Sequence, residues 1–241
     1  MLEVKDLKKS FGSFQAVKGI SFSVKKGEVL GFLGPNGAGK STTMRMITGF
    51  LPPSGGTAVI CGHDIATDPV AAKAAIGYLP ESAPSYRAMV VEEYLKFIAE
   101  IRGFHGKLAK EKVEAVIEKA RLQPVAKKTI ETLSKGYRQR TCFAQAIIHD
   151  PQVLIMDEPT DGLDPNQKYT VREMIKEMAA EKAIVISTHI LEEVDAVCTR
   201  AIVIADGELK ADGTPEKLRA LDPSGKLDVV FRNLTMKEGS K

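Results

Sequence analysis

The segment Gly34-Pro35-Asn36-Gly37-Ala38-Gly39-Lys40-Ser41-Thr42 constrains this chain more than any other. It follows the apolar run Glu28-Val29-Leu30-Gly31-Phe32-Leu33 and precedes residues 41–50, which read as a helix. Strand, glycine-rich loop and helix in that order build a cradle for phosphate. Glycine lets the backbone wrap closely, successive N–H groups point inward, and the helix adds the positive end of its dipole. Lys40 is placed to neutralise β- and γ-phosphates, and the Ser41 hydroxyl to hold Mg²⁺. A chance glycine-rich turn is the competing account, and it does not explain the flanking strand and helix.

A second apolar run, Val153-Leu154-Ile155-Met156, ends in Asp157-Glu158. Two adjacent carboxylates closing a buried strand are costly without a cation nearby. Asp157 is read as reaching Mg²⁺ through a water, and Glu158 as orienting and deprotonating the attacking water. The alternative is that one acid caps the turn begun by Pro159 and Thr160. Ala183-Ile184-Val185-Ile186-Ser187 is a further continuous apolar run, and two such runs fit buried strands of a parallel sheet.

Between the loop and the paired acids, residues 82–149 are almost wholly helical in pattern, with apolar residues at three-to-four spacing over 91–102 and 110–121. That block reads as a helical lobe inserted in an α/β core. Ahead of the loop, LEVKDL and QAVKGISFSV read as strands, and residues 201–205 and 209–211 flank Asp206-Gly207 as a hairpin. Residues 227–231 read as an edge strand, and 235–241 as a loose tail.

Composition removes several function classes. The chain has 241 residues, 44% hydrophobic and 27% charged, enough to bury a substantial core and unlike a disordered chain. Lys plus Arg number 34 against 31 Asp plus Glu, a balance that gives no electrostatic case for nucleic acid. No run approaches the roughly 20 apolar residues of a membrane span, and the N-terminus lacks a signal-peptide core, so a cytosolic chain is expected. Cys61, Cys142 and Cys198 lack metal-ligand spacing and read as reduced, packed thiols.

Leu133-Ser134-Lys135-Gly136-Tyr137-Arg138-Gln139 resembles the signature motif of ABC ATPases, usually written LSGGQ, and the order and spacing of the other motifs agree over residues 1–221. The resemblance implies an α/β phosphate-loop NTPase core with a mostly parallel sheet, an antiparallel N-terminal β subdomain and the inserted helical lobe. Its boundaries would be core 1–81 and 140–221, lobe 82–139, and an extension over 222–241. It also implies that Ser134 and Gly136, opening a helix, face the γ-phosphate held by an opposite subunit. Read alone, Ser134 is a simple helix cap.

Further roles come with the resemblance. Phe11 holds the place of the aromatic that stacks on adenine, unless Phe11 or Phe14 is only core. His189, after Ser187-Thr188, matches the switch histidine that contacts the γ-phosphate, although a lone histidine is more often structural. Asp161-Gly162-Leu163-Asp164 matches the loop that crosses to the other subunit, with Asp164 as its acid. Glu81, in Gly77-Tyr78-Leu79-Pro80-Glu81, stands where the family commonly has Gln and could still take Mg²⁺ or water. Lys135 replaces a signature glycine, and Tyr137 the usual Gln.

These departures look most like the ATPases of ABC-2-type bacterial exporters, including those for gliding motility, sodium efflux and copper-enzyme maturation. Implied partners are ATP, Mg²⁺, a second copy of the chain and a separate ABC-2-type membrane permease, gripped by a cleft around residues 81–87. The site of action is then the cytoplasmic face of the inner membrane. ABC ATPases of DNA repair carry a long coiled coil between phosphate loop and signature, and the segment here is too short for one. Translation-factor types carry two such units per chain, whereas this sequence has one. A module that binds without turnover would lack the acid at Glu158.

Overall fold

The computed structural model describes residues 1–82 and 85–236. In chain order, β1 (Leu2–Phe11), β2 (Phe14–Val24) and β3 (Val29–Leu33) lead through the glycine-rich loop into α1 (Lys40–Ile47). Then come β4 (Gly55–Ile60), β5 (His63–Asp64), α2 (Pro69–Ala74), β6 (Ile76–Leu79), α3 (Val91–Ile101), α4 (Gly106–Lys119) and α5 (Lys135–Ile147). The chain returns through β7 (Val153–Asp157), α6 (Pro165–Ala179), β8 (Ala183–Thr188), α7 (Leu191–Val197), β9 (Arg200–Ala205) and β10 (Glu208–Gly213). It closes with α8 (Pro215–Arg219) and α9 (Leu227–Thr235).

Two sheets organise these elements. The larger has the order β10-β9-β3-β8-β7-β6, parallel throughout except for β10, which returns antiparallel beside β9. Every residue of β3, β7 and β8 is buried, as expected of strands covered on both faces. The smaller sheet, β2-β1-β4-β5, is antiparallel and shares a core with the larger one through Val24, Ile60, Phe32 and Ile155. On the opposite face, α3, α4 and α5 pack with Leu154, Ile184 and Met156.

The turn between β9 and β10 has φ of 50° at Asp206 and 77° at Gly207, the paired left-handed geometry of a tight hairpin. α5 begins in the lobe and runs on into the core, crossing the boundary at 139/140 that the resemblance implies. Its buried Phe143 and Ala144 belong to the cluster that also contains Leu154 of β7.

One expectation is overturned. Residues 227–231 form the first turns of α9, not an edge strand. Leu227, Val230, Phe231 and Leu234 fall at i, i+3, i+4 and i+7, and this stripe packs with Val194, Val203 and Leu218. Helical spacing over eight residues outweighs the β-propensity of Val229-Val230-Phe231. Of the expected tail, residues 237–241 lie outside the described residues, as do residues 83 and 84 of the expected cleft. Among the described residues no helix is long and apolar enough to cross a membrane.

Candidate nucleotide site

The carboxyl ends of β3, β7 and β8 lie side by side, and in an open parallel sheet that edge is where ligands gather. The loop leaving β3 depends on glycine at two points. A Cβ on Gly34 would stand 2.4 Å from the carbonyl oxygen of Ile204. Gly39, the residue before α1, has φ of 103°, and a Cβ there would meet the Ala16 carbonyl oxygen at 2.6 Å. The loop is thus folded back on the sheet with no room for a side chain at these two positions, and α1 starts at Lys40 with its positive end facing the cavity.

Lys40 is held inside this loop. Its Nζ donates to the carbonyls of Gly34 at 2.8 Å and Pro35 at 3.3 Å. The neighbouring Ser41 hydroxyl donates to Asp157 Oδ1 at 3.2 Å, and Ser187 of β8 donates to the same oxygen. Asp157 is 1% exposed, so these hydroxyls replace the water it has lost. The arrangement offers a hydroxyl and carboxylates from Asp157 and Glu81, an all-oxygen set of the kind a hard cation such as Mg²⁺ takes. Among the described residues no group of three or more His, Cys, Asp or Glu forms a metal cage. Phosphate oxygens and water would have to complete the shell, as is usual for Mg²⁺.

Glu158 follows with φ of 49°, a left-handed backbone that costs a non-glycine residue about 1 kcal/mol or more. Its N–H donates to the Ser187 carbonyl at 3.1 Å, which fixes the turn. The side chain is aimed between two partners: His189 Nδ1 lies 3.0 Å from Oε2, and Lys40 Nζ lies on the Oε1 side. A carboxylate oxygen accepts, so Nδ1 carries the hydrogen and Nε2 is left to face solvent or ligand.

A cavity of about 510 Å³ opens over this cluster, lined by Asn36, Gly37, Gly39, Lys40, Ser41, Thr42, Glu81, Glu158 and His189. Phe11 and Phe14 form its rim, 49% and 62% exposed, so neither is a core residue. Gly34, Pro35, Ala38 and Asp157 do not line the cavity: the carbonyls of Gly34 and Pro35 hold Lys40, the Ala38 carbonyl accepts from the Gly207 N–H at 3.2 Å, and Asp157 accepts from Ser41.

Ser134, Gly136 and Asp164 are not brought into this cavity. Ser134 caps α5, its hydroxyl accepting from Tyr137 N–H at 3.4 Å. Gly136 lies against Gln167, and Asp164 caps α6 by accepting from the Gln167 N–H at 3.0 Å.

Three further residues at the site were not singled out for it by sequence. Asp161 lines the cavity and stands 3.7 Å from Lys135 at the start of α5. Ser187 sits opposite Asp157 in the β7–β8 register, a pairing visible only once the strand order is known. Tyr78 of β6 has its hydroxyl pushed up to about 12, chiefly by burial and then by the charge of Asp157.

The chain resembles known proteins of one family. The family model described as ABC transporter matches residues 17–161. The chain is 41% identical over 220 residues to the linearmycin resistance ATP-binding protein LnrL of Bacillus subtilis, covering 90% of this chain and 70% of that one. It is 38% identical over 220 residues to the Nod factor export ATP-binding protein I of Paraburkholderia xenovorans, covering 91% and 72%. Among solved structures, an ATP binding subunit of an ABC transporter superposes with a TM-score of 0.87 at 30% identity, over 98% of this chain and all of that one. The dimeric ABC transporter cassette MJ0796 shares the fold, with a TM-score of 0.80 at 22% identity over 89% of this chain and 98% of that chain.

Proposed function

This chain belongs to the ABC transporter family of ATP-binding proteins, and from that premise we propose that it hydrolyses Mg-ATP at the Lys40–Glu158 cluster to power export through separate membrane subunits. The observation that carries the reading is the meeting of Lys40, Ser41, Asp157, Glu158 and His189 at the carboxyl ends of β3, β7 and β8. Loop amides and Lys40 bind the β- and γ-phosphates. Ser41 and Asp157, with Glu81 nearby, would hold Mg²⁺, which when bound neutralises phosphate charge. Glu158 takes a proton from the attacking water, and the products are ADP and inorganic phosphate. His189 donates through Nδ1 to the Glu158 carboxylate and, in its doubly protonated form, through Nε2 to the γ-phosphate. Phe11 stacks on adenine from the cavity rim, a contact every base can make.

The proposed unit is a homodimer. The N-terminus of α5, with Ser134 and Gly136, lies outside the cavity of its own chain and would cap the nucleotide held by a second copy, with Asp164 beside it. Closing around ATP turns the helical lobes, and the seam near Glu81 and Arg87 passes that motion to a permease of the ABC-2 type at the cytoplasmic face of the inner membrane. A cavity of about 460 Å³ lined by Glu81, Ser82, Ser85 and Arg87 supports the seam as the docking place. The relatives named for linearmycin resistance and Nod factor export support the outward direction.

Purified chain should hydrolyse ATP in a Mg²⁺-dependent manner and co-purify with an integral membrane protein encoded beside it. A chain that binds no ATP analogue, or whose second copy cannot approach the cavity, would overturn the reading.

A further inference from the structure

Glu193, on α7, is the most deeply buried carboxylate outside the site just described, with 1% of its side chain exposed. Its Oε1 accepts from Arg172 Nε at 3.1 Å and Nη2 at 2.6 Å, while Oε2 has no hydrogen-bond partner among the described residues. Arg172 belongs to α6 and is only 21% exposed. A buried carboxylate satisfied on one side is a poor stabiliser, because desolvation offsets most of the attraction and apolar side chains would fill the same space. The value of the pair must therefore lie in where it holds the two helices.

Both helices begin at the catalytic edge. α7 starts two residues after His189, and the intervening Ile190 is fixed by its N–H donating to Thr188 Oγ1 at 3.0 Å and by its carbonyl accepting from Glu193 N–H at 3.1 Å. Glu193 is thus one turn from the histidine. α6 starts directly after Asp164, and its first turn carries Gln167, which packs on Gly136 of α5. Arg172 lies two turns along. The pair, two guanidinium N–H groups on one carboxylate oxygen, ties the helix that aims His189 to the helix that supports the start of α5.

We infer that Glu193 and Arg172 are positioning residues for hydrolysis, clamping α7 to α6 so that the His189 ring is held against Glu158. The inference rests on the proposed roles of His189 and Glu158, and its test has a readout independent of activity. Glu193→Gln keeps the shape but weakens the two-point contact. It should lower kcat about tenfold, the order expected when a reacting group is slightly misplaced. The dissociation constant for a non-hydrolysable ATP analogue should stay within twofold.

At fixed pH, the His189 ring resonances in nuclear magnetic resonance spectra should move toward those of Glu158→Gln. Arg172→Met should do the same, and the double variant should lose no more than twofold beyond either single one, since one link is removed once. Arg172→Lys keeps the cation but offers one donor nitrogen in place of two, so it carries the same test should the others fail to fold. Wild-type kcat in these variants, or a lower kcat with the His189 resonances unmoved, overturns the clamp. If the resonances move and kcat does not, the clamp is equally refuted as a device for hydrolysis.

Discussion

The Lys40 ammonium stands 3.5 Å from the Glu158 carboxylate, with 6% and 8% of the two side chains exposed. One residue comes from the loop after β3 and the other from the end of β7, so the proposed phosphate-binding cation and the proposed base share one desolvated space. Their mutual field is stronger there than it would be in water. Removing either charge leaves the other buried with one partner fewer, and the two losses should read out differently.

Lys40→Ala removes the cation from the phosphate loop. Affinity for an ATP analogue should fall at least about thirtyfold, the loss of a charge-assisted contact of roughly 2 kcal/mol. Isothermal titration measures it, and unchanged affinity would refute the phosphate assignment.

Glu158→Gln keeps the shape and removes the base. ATP binding should persist and turnover should drop by about 100-fold or more. Gel filtration with ATP should then reveal a trapped dimer. Undiminished hydrolysis in this variant removes Glu158 from its role.

Gly136→Ala addresses the second copy. The new Cβ would stand 2.5 Å from Gln167 Oε1, so that side chain must move away from the start of α5. A single chain should bind nucleotide as before, while ATP-driven dimerisation and cooperative ATPase activity fall about tenfold. Loss of nucleotide affinity in the isolated chain would instead place Gly136 in the cavity of its own chain.

His149 supplies the pH prediction. Its Nε2–H donates to the Ile76 carbonyl at 2.9 Å, and burial, followed by the nearby Arg102 charge, pushes the ring down to about 4. The unfolded chain takes up this proton near pH 6.5, the folded one near 4, so the stability it contributes is complete above 6.5 and is lost as pH falls toward 4. Between pH 7.5 and 5 the loss should be about 2 kcal/mol. His149→Gln keeps a donor for Ile76 and should flatten that part of the urea-unfolding profile. Equal pH slopes in both proteins would sink the assignment.

The helical assignment of the C-terminal segment is checked by two neighbours. Val230 is 2% exposed and faces the core, whereas Val229 is only partly buried. Val230→Asp should cost about 3 kcal/mol of stability and Val229→Asp less than about 1 kcal/mol. A strand would reverse the order, since 227, 229 and 231 would then share the buried face.

The glycine loop, the paired acids and the fully apolar strands were legible in the sequence because each is a local pattern. Their chemistry depends on residue type and on spacing of a few positions. The same locality explains the hairpin at Asp206-Gly207 and the amphipathic α3 and α4. Residues 227–231 failed because a short apolar run satisfies both strand and helix periods, and only the surface offered by Val194, Val203 and Leu218 selects between them.

Other features were decided by tertiary structure alone. Ser187 meets Asp157 because β8 lies between β3 and β7, and no spacing in the chain encodes that order. Phe11 and Phe14 are rim residues and not core because β1 and β2 belong to a separate antiparallel sheet that ends at the cavity. Arg172 finds Glu193 across 21 residues because α6 and α7 pack against each other. The sequence by itself determined which groups can bind phosphate and move a proton, since those properties reside in single side chains and short backbone turns. The packing of strands and helices determined which of them meet, because distance and desolvation exist only once the chain is folded.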